Sequence, residues 1–416
     1  MKIKLNRGST IRIFGPALLK VVDGRVSILG KVFGVGENIV IHKLRSYSLL
    51  SEEDSIIEVN MGPGASIQEP NLNEEPIFEW YKAAEEIISK GYTSTIILGP
   101  VDSGKSSLSV LLANKALSRG ISPVAIIDSD VGQADIGPPG FISVAIVTSP
   151  VIWMRELSPD AMRFIGDIRP QHHIDHIINE VSNLINYAKN KGSKFIIIDT
   201  DGWIQDIQGI SYKYKLITRI KPDAIIVLGE LCKGVFRKLR RIGIDVIELN
   251  TPSILRTRTR DERRKLRSEK YKQFLEGAPV QKYYMDEIIL NGIPLFYGLE
   301  LDPSEVSSIA GAEVLYATKT PDILHIVTTV HIRNIQSDKL KNTYGVDKIR
   351  LYHPGLEKGL YIGIEGDSFS EYPGLIEYID YKNKVIGIRT IYRGVPKVIK
   401  LSRIRLTREY TEQLMD

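Results

Sequence analysis

Eight consecutive residues, Gly99-Pro100-Val101-Asp102-Ser103-Gly104-Lys105-Ser106, spell G-x-x-x-x-G-K-S, and their flanks turn the pattern into a constraint on fold. A β-branched, apolar run from Thr93 to Leu98 precedes them, and Ser107 to Ser118 follows with Leu108, Leu111 and Leu112 at helical spacing. The chain is therefore predicted to pass from a buried strand through a tight loop into a helix. In such a loop the backbone N–H groups curl around phosphate oxygens, Gly99 and Gly104 allow the close approach, and the helix beginning near Ser107 offers its positive end. Lys105 is expected to reach the terminal phosphates of a bound triphosphate and the Ser106 hydroxyl to hold Mg²⁺.

The 416 residues, 43% of them hydrophobic, leave room for two or three domains with cores of their own. The single cysteine, Cys232, excludes an internal disulfide framework and a cysteine-based zinc cluster, and fits a reducing interior. Met1 to Thr10 lacks the apolar stretch of a signal peptide, and the longest apolar run, near Phe141 to Met154, is too short and interrupted to cross a bilayer. A cytoplasmic protein with no membrane partner is expected. Its net charge of +5 is compatible with a polyanionic partner.

Three segments follow from the patterning. Residues 1–70 alternate polar and apolar positions, as in Thr10 to Ile13 and Asn38 to Ile41, with glycines between, and read as a small N-terminal β domain. Pro70 to Glu75 reads as a linker and Phe78 to Lys90 as a helix. Residues 71–287 then alternate apolar strands (Val124 to Asp128, Phe195 to Asp199, Ala224 to Leu228, Val246 to Leu249) with helices such as Ile174 to Lys189. The expected fold is α/β, a mostly parallel sheet with helices on both faces. Residues 288–416 return to short strands, from Ile323 to Val330 through Lys397 to Ile404, and read as a C-terminal β domain.

Carboxylates cluster where such a sheet places chemistry. Asp128-Ser129-Asp130-Val131-Gly132-Gln133 follows one strand and Asp199-Thr200-Asp201-Gly202-Trp203 another. Strand C-termini of a doubly wound sheet face the nucleotide crevice. One of these aspartates can hold water on the metal, with Asp128 and Asp199 both eligible, while another accepts the proton of an attacking alcohol. Trp203 can stack on a nucleobase or fill the core.

A cationic stretch runs from Arg256 to Lys270, and Arg260, Arg263, Arg264 and Arg267 share one helical stripe. Such a stripe suits a lid over phosphate or a contact with a nucleic-acid backbone, a solvated helix face being the plain alternative. His172, His173 and His176 are read as a polar helix start rather than a metal site, and Lys397, Lys400, Arg403 and Arg405 as an exposed strand face.

In their order these clusters resemble the polynucleotide 5′-hydroxyl kinase family, which includes the RNA kinase subunit of the pre-mRNA cleavage factor, the nucleolar pre-rRNA-processing kinase and archaeal relatives. The resemblance rests on the phosphate loop, on Asp130, Gly132 and Gln133, on Pro138 to Gly140, on Phe164-Ile165-Gly166, on Thr200, Gly202 and Trp203, and on paired arginines at Arg263 and Arg267. It implies a P-loop fold flanked by β domains and transfer of the ATP γ-phosphate to the 5′-hydroxyl of RNA or DNA. By similarity Asp130 is the general base, and Lys105 and Ser106 bind phosphate and Mg²⁺. Gln133, Thr200, Gly202 and Trp203 hold the acceptor, and Arg263 and Arg267 are the lid charges, with Arg256, Arg260 and Arg264 as other registers. The N-terminal domain is implied in holding the adenine, and partners in RNA processing are implied as well. Two other functions compete with this one. A non-catalytic ATP-bound scaffold would keep the loop without turnover. A GTPase would need a guanine-reading Asn/Thr-Lys-x-Asp, and Asn114-Lys115 lacks the downstream Asp.

Overall fold

Around the phosphate loop the expected strand and helix are present, in a computed structural model that describes residues 1–70, 74–253, 257–329 and 335–415. Strand β1 (Ser94–Leu98) buries Ile96, Ile97 and Leu98 completely, as a strand covered on both faces must. Helix α1 (Ile77–Ser89) precedes it, and α2 (Lys105–Ser118) follows the loop. Five further strands of the same sheet are β2 (Val124–Asp128), β3 (Phe141–Val147), β4 (Phe195–Asp199), β5 (Ala224–Leu228) and β6 (Asp245–Leu249). Within the sheet these six follow the order β3-β2-β4-β1-β5-β6. All neighbours are parallel except β3, which runs antiparallel to β2. Helices α3 (Ile174–Asn190) and α4 (Ile207–Ile220) complete the α/β layers. Because β1 lies between β4 and β5, the loop emerges beside the end of β4, and β2 delivers its aspartates one strand further on.

The chain divides into two compact units. The first comprises residues 1–137, 142–161 and 169–263, and the second residues 138–141, 162–168 and 264–416. In the first, the N-terminal strands form two antiparallel sheets of four and five strands. Their apolar residues, Leu19, Ile28 and Leu49 among them, share one core with Leu111 and Ala113 of α2 and Ile97 of β1. The Asn114 side chain ties the two parts together, donating to the carbonyls of Leu29 (2.8 Å) and Val151 (2.7 Å) and accepting from the Val151 N–H.

The second unit holds an antiparallel arrangement centred on Leu360–Glu365, Tyr372–Asp380, Val385–Thr390 and Val398–Leu406, and a four-stranded sheet containing Val314–Lys319 and Ile323–Thr328. It also contains two eight-residue helices, Pro303–Ala310 and Ser337–Tyr344, that the strand-dominated patterning does not announce. Two turns are too short for a periodic signal, and the first is specified locally, by Asp302 accepting from the Ser304 N–H. The Pro138–Gly140 and Phe164–Gly166 segments pack in this unit. Phe141, Phe164, Tyr271 and Tyr361 form its aromatic cluster, and Glu371 accepts from the Phe164 N–H at 2.6 Å. Helix α5 (Arg260–Leu275) starts in the first unit and continues in the second. Arg256, the last residue of the Ile323 to Val330 strand reading and residues 71–73 of the linker reading lie outside the described residues.

Candidate active site

The loop is shaped by contacts that leave no room for larger residues. Gly104 has φ +96° and opens α2, and a Cβ there would come within 2.6 Å of the Trp80 ring of α1. Trp80 is held in turn by its Nε1–H donating to the Asn250 carbonyl at 2.9 Å. A Cβ at Gly99 would meet Ser103 Oγ at 2.7 Å and Leu228 at 2.9 Å. Lys105 Nζ donates to the Pro100 carbonyl at 2.8 Å, so the ammonium already lies along the inside of the loop. The buried Ser103 hydroxyl has no hydrogen-bond partner among the described residues. Asp102, at φ +60°, accepts from the Arg258 N–H (3.1 Å) and from the Arg263 guanidinium (2.8 Å). Ser107 stands in the first turn of α2.

The acidic loop after β2 is built by its own backbone. Asp128 Oδ1 accepts from the Asp130 N–H, and Oδ2 from the Asp135 and Ile136 N–H groups at 2.7 and 3.0 Å. Asp130 Oδ1 accepts from the Gly132 and Gln133 N–H groups at 2.9 and 2.8 Å. Burial pushes the Asp130 carboxyl above its ordinary range, and the nearby Asp201 adds to this, against the pull of the loop N–H groups and Lys105. The Gln133 side chain turns back onto the Gly132 carbonyl.

Asp199, at the end of β4, pairs in register with Asp128. One of its oxygens, Oδ1, is buried without a hydrogen-bond partner among the described residues. Burial pushes this carboxyl up to about 7, although Lys105 and the Ser106 hydroxyl draw it down. A buried carboxylate beside Ser106 with an unsatisfied oxygen fits a divalent cation carried in with a triphosphate. Asp128 fits less well, since N–H groups of its own loop already occupy both oxygens.

After β4 the chain locks onto the phosphate loop. Thr200 is buried and its hydroxyl donates to the Ile97 carbonyl at 2.8 Å, which joins β4 to β1. A Cβ on Gly202 would fall 2.4 Å from Val101 Cγ2 and 2.6 Å from Val101 N, so glycine is required by the loop's approach. Trp203 is half-buried, with Nε1–H donating to Asp206 at 2.8 Å and its ring tilted against Tyr212 at 6.0 Å.

The arginine stripe divides. Arg263 bonds Asp102 within the first unit, whereas within the second unit Arg267 Nε donates to Glu412 at 3.0 Å and Arg264 to the Glu412 carbonyl. His176 lies 3.7 Å from Glu180.

Comparison with known proteins places this geometry. Residues 99–277 match the model of the mRNA cleavage and polyadenylation factor CLP1 P-loop family. The polyribonucleotide 5′-hydroxyl-kinase of Methanocaldococcus jannaschii is 32% identical over 71% of this chain and 81% of its own. The chain belongs to the polyribonucleotide 5′-hydroxyl-kinase family. The family's kinase from Thermococcus kodakarensis is 30% identical over 80% of this chain and 93% of its own length. Among solved structures, a complex of Clp1p with Pcf11p aligns with TM-score 0.64 over 97% of this chain and 98% of that one, at 13% identity, a likeness of fold.

Three features of this family member escape a reading of its sequence. The buried Lys213 donates to Asp201 Oδ2 at 2.8 Å, while Asp201 Oδ1 accepts from the Trp203 N–H at 2.9 Å. Lys213 does leave a trace, a lysine among Gly209, Tyr212, Leu216 and Ile217 on the buried stripe of α4. The second feature is Asp135, which binds Arg155 (2.9 Å) and Arg45 (3.3 Å), both guanidiniums lying over the Trp153 ring. The third is Arg258, 3.9 Å from Asp102 across 156 residues of chain. Partners so distant leave no periodic signal.

Proposed function

We propose that this chain transfers the γ-phosphate of ATP to the 5′-hydroxyl end of RNA, in the cytoplasm and in RNA processing or repair. One observation carries the reading: a half-buried carboxylate, Asp130, stands on a loop that its own N–H bonds hold in place, close enough to Lys105 for the two charges to interact. Oδ1 takes both of those N–H bonds, and Oδ2 is the oxygen that receives the proton. An elevated pKa suits a base that must take a proton from an alcohol. The 5′ oxygen attacks the γ-phosphorus as its proton passes to Asp130, the bond from phosphorus to the β–γ bridging oxygen breaks, and ADP leaves.

The residues of the loop do most of the placement. Backbone N–H groups of Gly99 to Ser106 cradle the phosphates, Lys105 exchanges the Pro100 carbonyl for a phosphate oxygen, and Arg263 adds charge from beside Asp102. Arg267 joins them only by giving up Glu412. Ser106 would hold Mg²⁺ directly and Asp199 through water, and the ion when bound draws charge from the β- and γ-phosphates. Trp203 offers its face to the terminal base, with Gln133 beside the acceptor, while Thr200 and Gly202 act by fixing the clasp to the loop. The names of the relatives favour RNA over DNA, and the likeness to Clp1p, which is bound to Pcf11p in its complex, favours protein partners.

The test is transfer from labelled ATP to oligonucleotides bearing a 5′-OH, with RNA and DNA acceptors side by side. Label at the 5′ end that disappears in Lys105→Ala is the expected outcome. ATP binding without transfer to any acceptor would instead mark the chain as a scaffold.

A further inference from the structure

Beside Trp203 lies an open cleft of about 480 Å³. It is lined by Gln171 in the turn before α3, by Ile174 at the start of α3, by Trp203, and by Ile207, Gln208 and Lys215 of α4. Helix α4 follows β4, so its first turn stands at the C-terminal edge of the sheet, the edge from which the phosphate loop also emerges. The cleft thus extends the surface that carries Trp203, and none of the residues of the phosphate loop or of the Asp130 loop lines it.

Its chemistry is that of a strand-binding groove. Ile207 is 77% exposed, an apolar surface with no covering group among the described residues. Two exposed amides, Gln171 and Gln208, present both donors and acceptors. Lys215 places an ammonium at the rim whose partner, Asp175, is 3.8 Å away and itself exposed, a loose pair that solvent and salt screen. Trp203 is not free to swing. Its backbone N–H is held by Asp201, its Nε1–H by Asp206, and Gly209 of α4 packs against it so closely that a Cβ there would lie 3.0 Å from Trp203 Cδ1. A fixed indole, with Tyr212 packed beside it, thus forms one wall of an amphipathic cleft.

We infer that this cleft is a second acceptor subsite, taking the nucleotides that follow the reacting 5′ end of an RNA strand. The inference rests on the kinase reading for the direction of the strand. A base lies on Ile207 against the indole, the glutamine amides meet its edge without selecting one base, and Lys215 contacts the phosphate that follows. Stacking tolerates every base, so the subsite measures acceptor length rather than sequence.

The experiment compares a 5′-OH dinucleotide with a 5′-OH hexanucleotide RNA in wild-type protein, Lys215→Ala and Ile207→Asp. It reads phosphate transfer and, separately, equilibrium binding of a fluorescent hexamer by anisotropy. Wild type is expected to favour the hexamer by about tenfold in kcat/KM, and each variant to lose most of that preference. In Lys215→Ala the fall of log affinity with log salt becomes shallower by about 0.7, one phosphate contact on a single strand. Hexamer binding that depends on Lys215 without transfer to either acceptor would sink the kinase reading and leave the subsite standing. Transfer that is equal for both lengths, hexamer affinity indifferent to both substitutions, or an equal loss on both lengths overturns the subsite, the second outcome being that of a cleft serving a protein.

Discussion

Lys213, fully buried in α4, donates its ammonium to Asp201 at 2.8 Å, and the other oxygen of that carboxylate holds the backbone of Trp203. Burial pushes the Lys213 pKa down, and Asp201 opposes this. The pair links helix packing to the clasp. Removing one member strands a charge, whereas removing both leaves a site that can close. Lys213→Met is expected to lose about 3–5 kcal/mol in denaturant unfolding. Asp201→Asn combined with Lys213→Met should recover most of it, since Asn keeps an acceptor for the Trp203 N–H. A double variant no more stable than Lys213→Met would show that the pair is not coupled.

Asp130→Asn preserves the acceptor for Gly132 and Gln133 but cannot take a proton. Turnover should fall by about 10²- to 10⁴-fold with ATP affinity unchanged. Single-turnover transfer and nucleotide titration together check this, and a loss confined to ATP binding would assign Asp130 a structural part.

Gly202 faces Val101 with no space for a methyl group. Because the nearest atoms include the Val101 backbone, Gly202→Ala must displace the phosphate loop. We expect destabilisation of about 1–3 kcal/mol together with weaker ATP binding, seen by thermal shift with and without nucleotide. Intact nucleotide affinity would contradict the tight approach.

Arg263 and Arg267 should separate on stability. Arg267→Ala leaves the buried Glu412 without its guanidinium and is expected to lower unfolding free energy by about 3–5 kcal/mol. Arg263, a third exposed and facing Asp102, should cost little stability while transfer falls by about 10³-fold or more. Melting curves beside transfer rates decide the matter, and equal melting temperatures would remove the distinction.

Acid should weaken the first unit through Asp135. Burial raises its carboxyl, but Arg45, Arg155 and Arg258 outweigh that and hold it at about 2, below the ordinary value near 3.8. A depressed folded-state pKa stabilises above the unfolded pKa, so the contribution is full above about pH 5 and fades as pH falls through about 4 toward 2. It amounts to about 2–3 kcal/mol. Unfolding measured from pH 6 to 2 should be shallower in Asp135→Asn than in wild type. Parallel curves would deny Asp135 this part.

The loop from Gly99 to Ser106, its strand and its helix were legible because their determinants are contiguous: a buried run, two glycines, and a helix beginning at the lysine and serine that close the motif. The α/β layering was legible for the same reason, through strands apolar on both faces. Which carboxylate does what was not, because Asp128, Asp130 and Asp199 are alike in sequence and differ only in what surrounds them. Asp128 has both oxygens filled by N–H groups, Asp130 has one oxygen so engaged, and Asp199 keeps one unpaired.

By itself, then, the order of residues determined a nucleotide-binding α/β chain and the set of groups available to its chemistry, since local periodicity and glycine placement act over a few residues. Tertiary structure alone decided that Gly202 touches Val101, that Arg258 and Arg263 meet at Asp102 while Arg267 meets Glu412, and that Asp201 shares a buried pair with Lys213. The physical reason is that charges and close contacts are assigned by proximity in space and by burial, and neither is a property of neighbours along the chain.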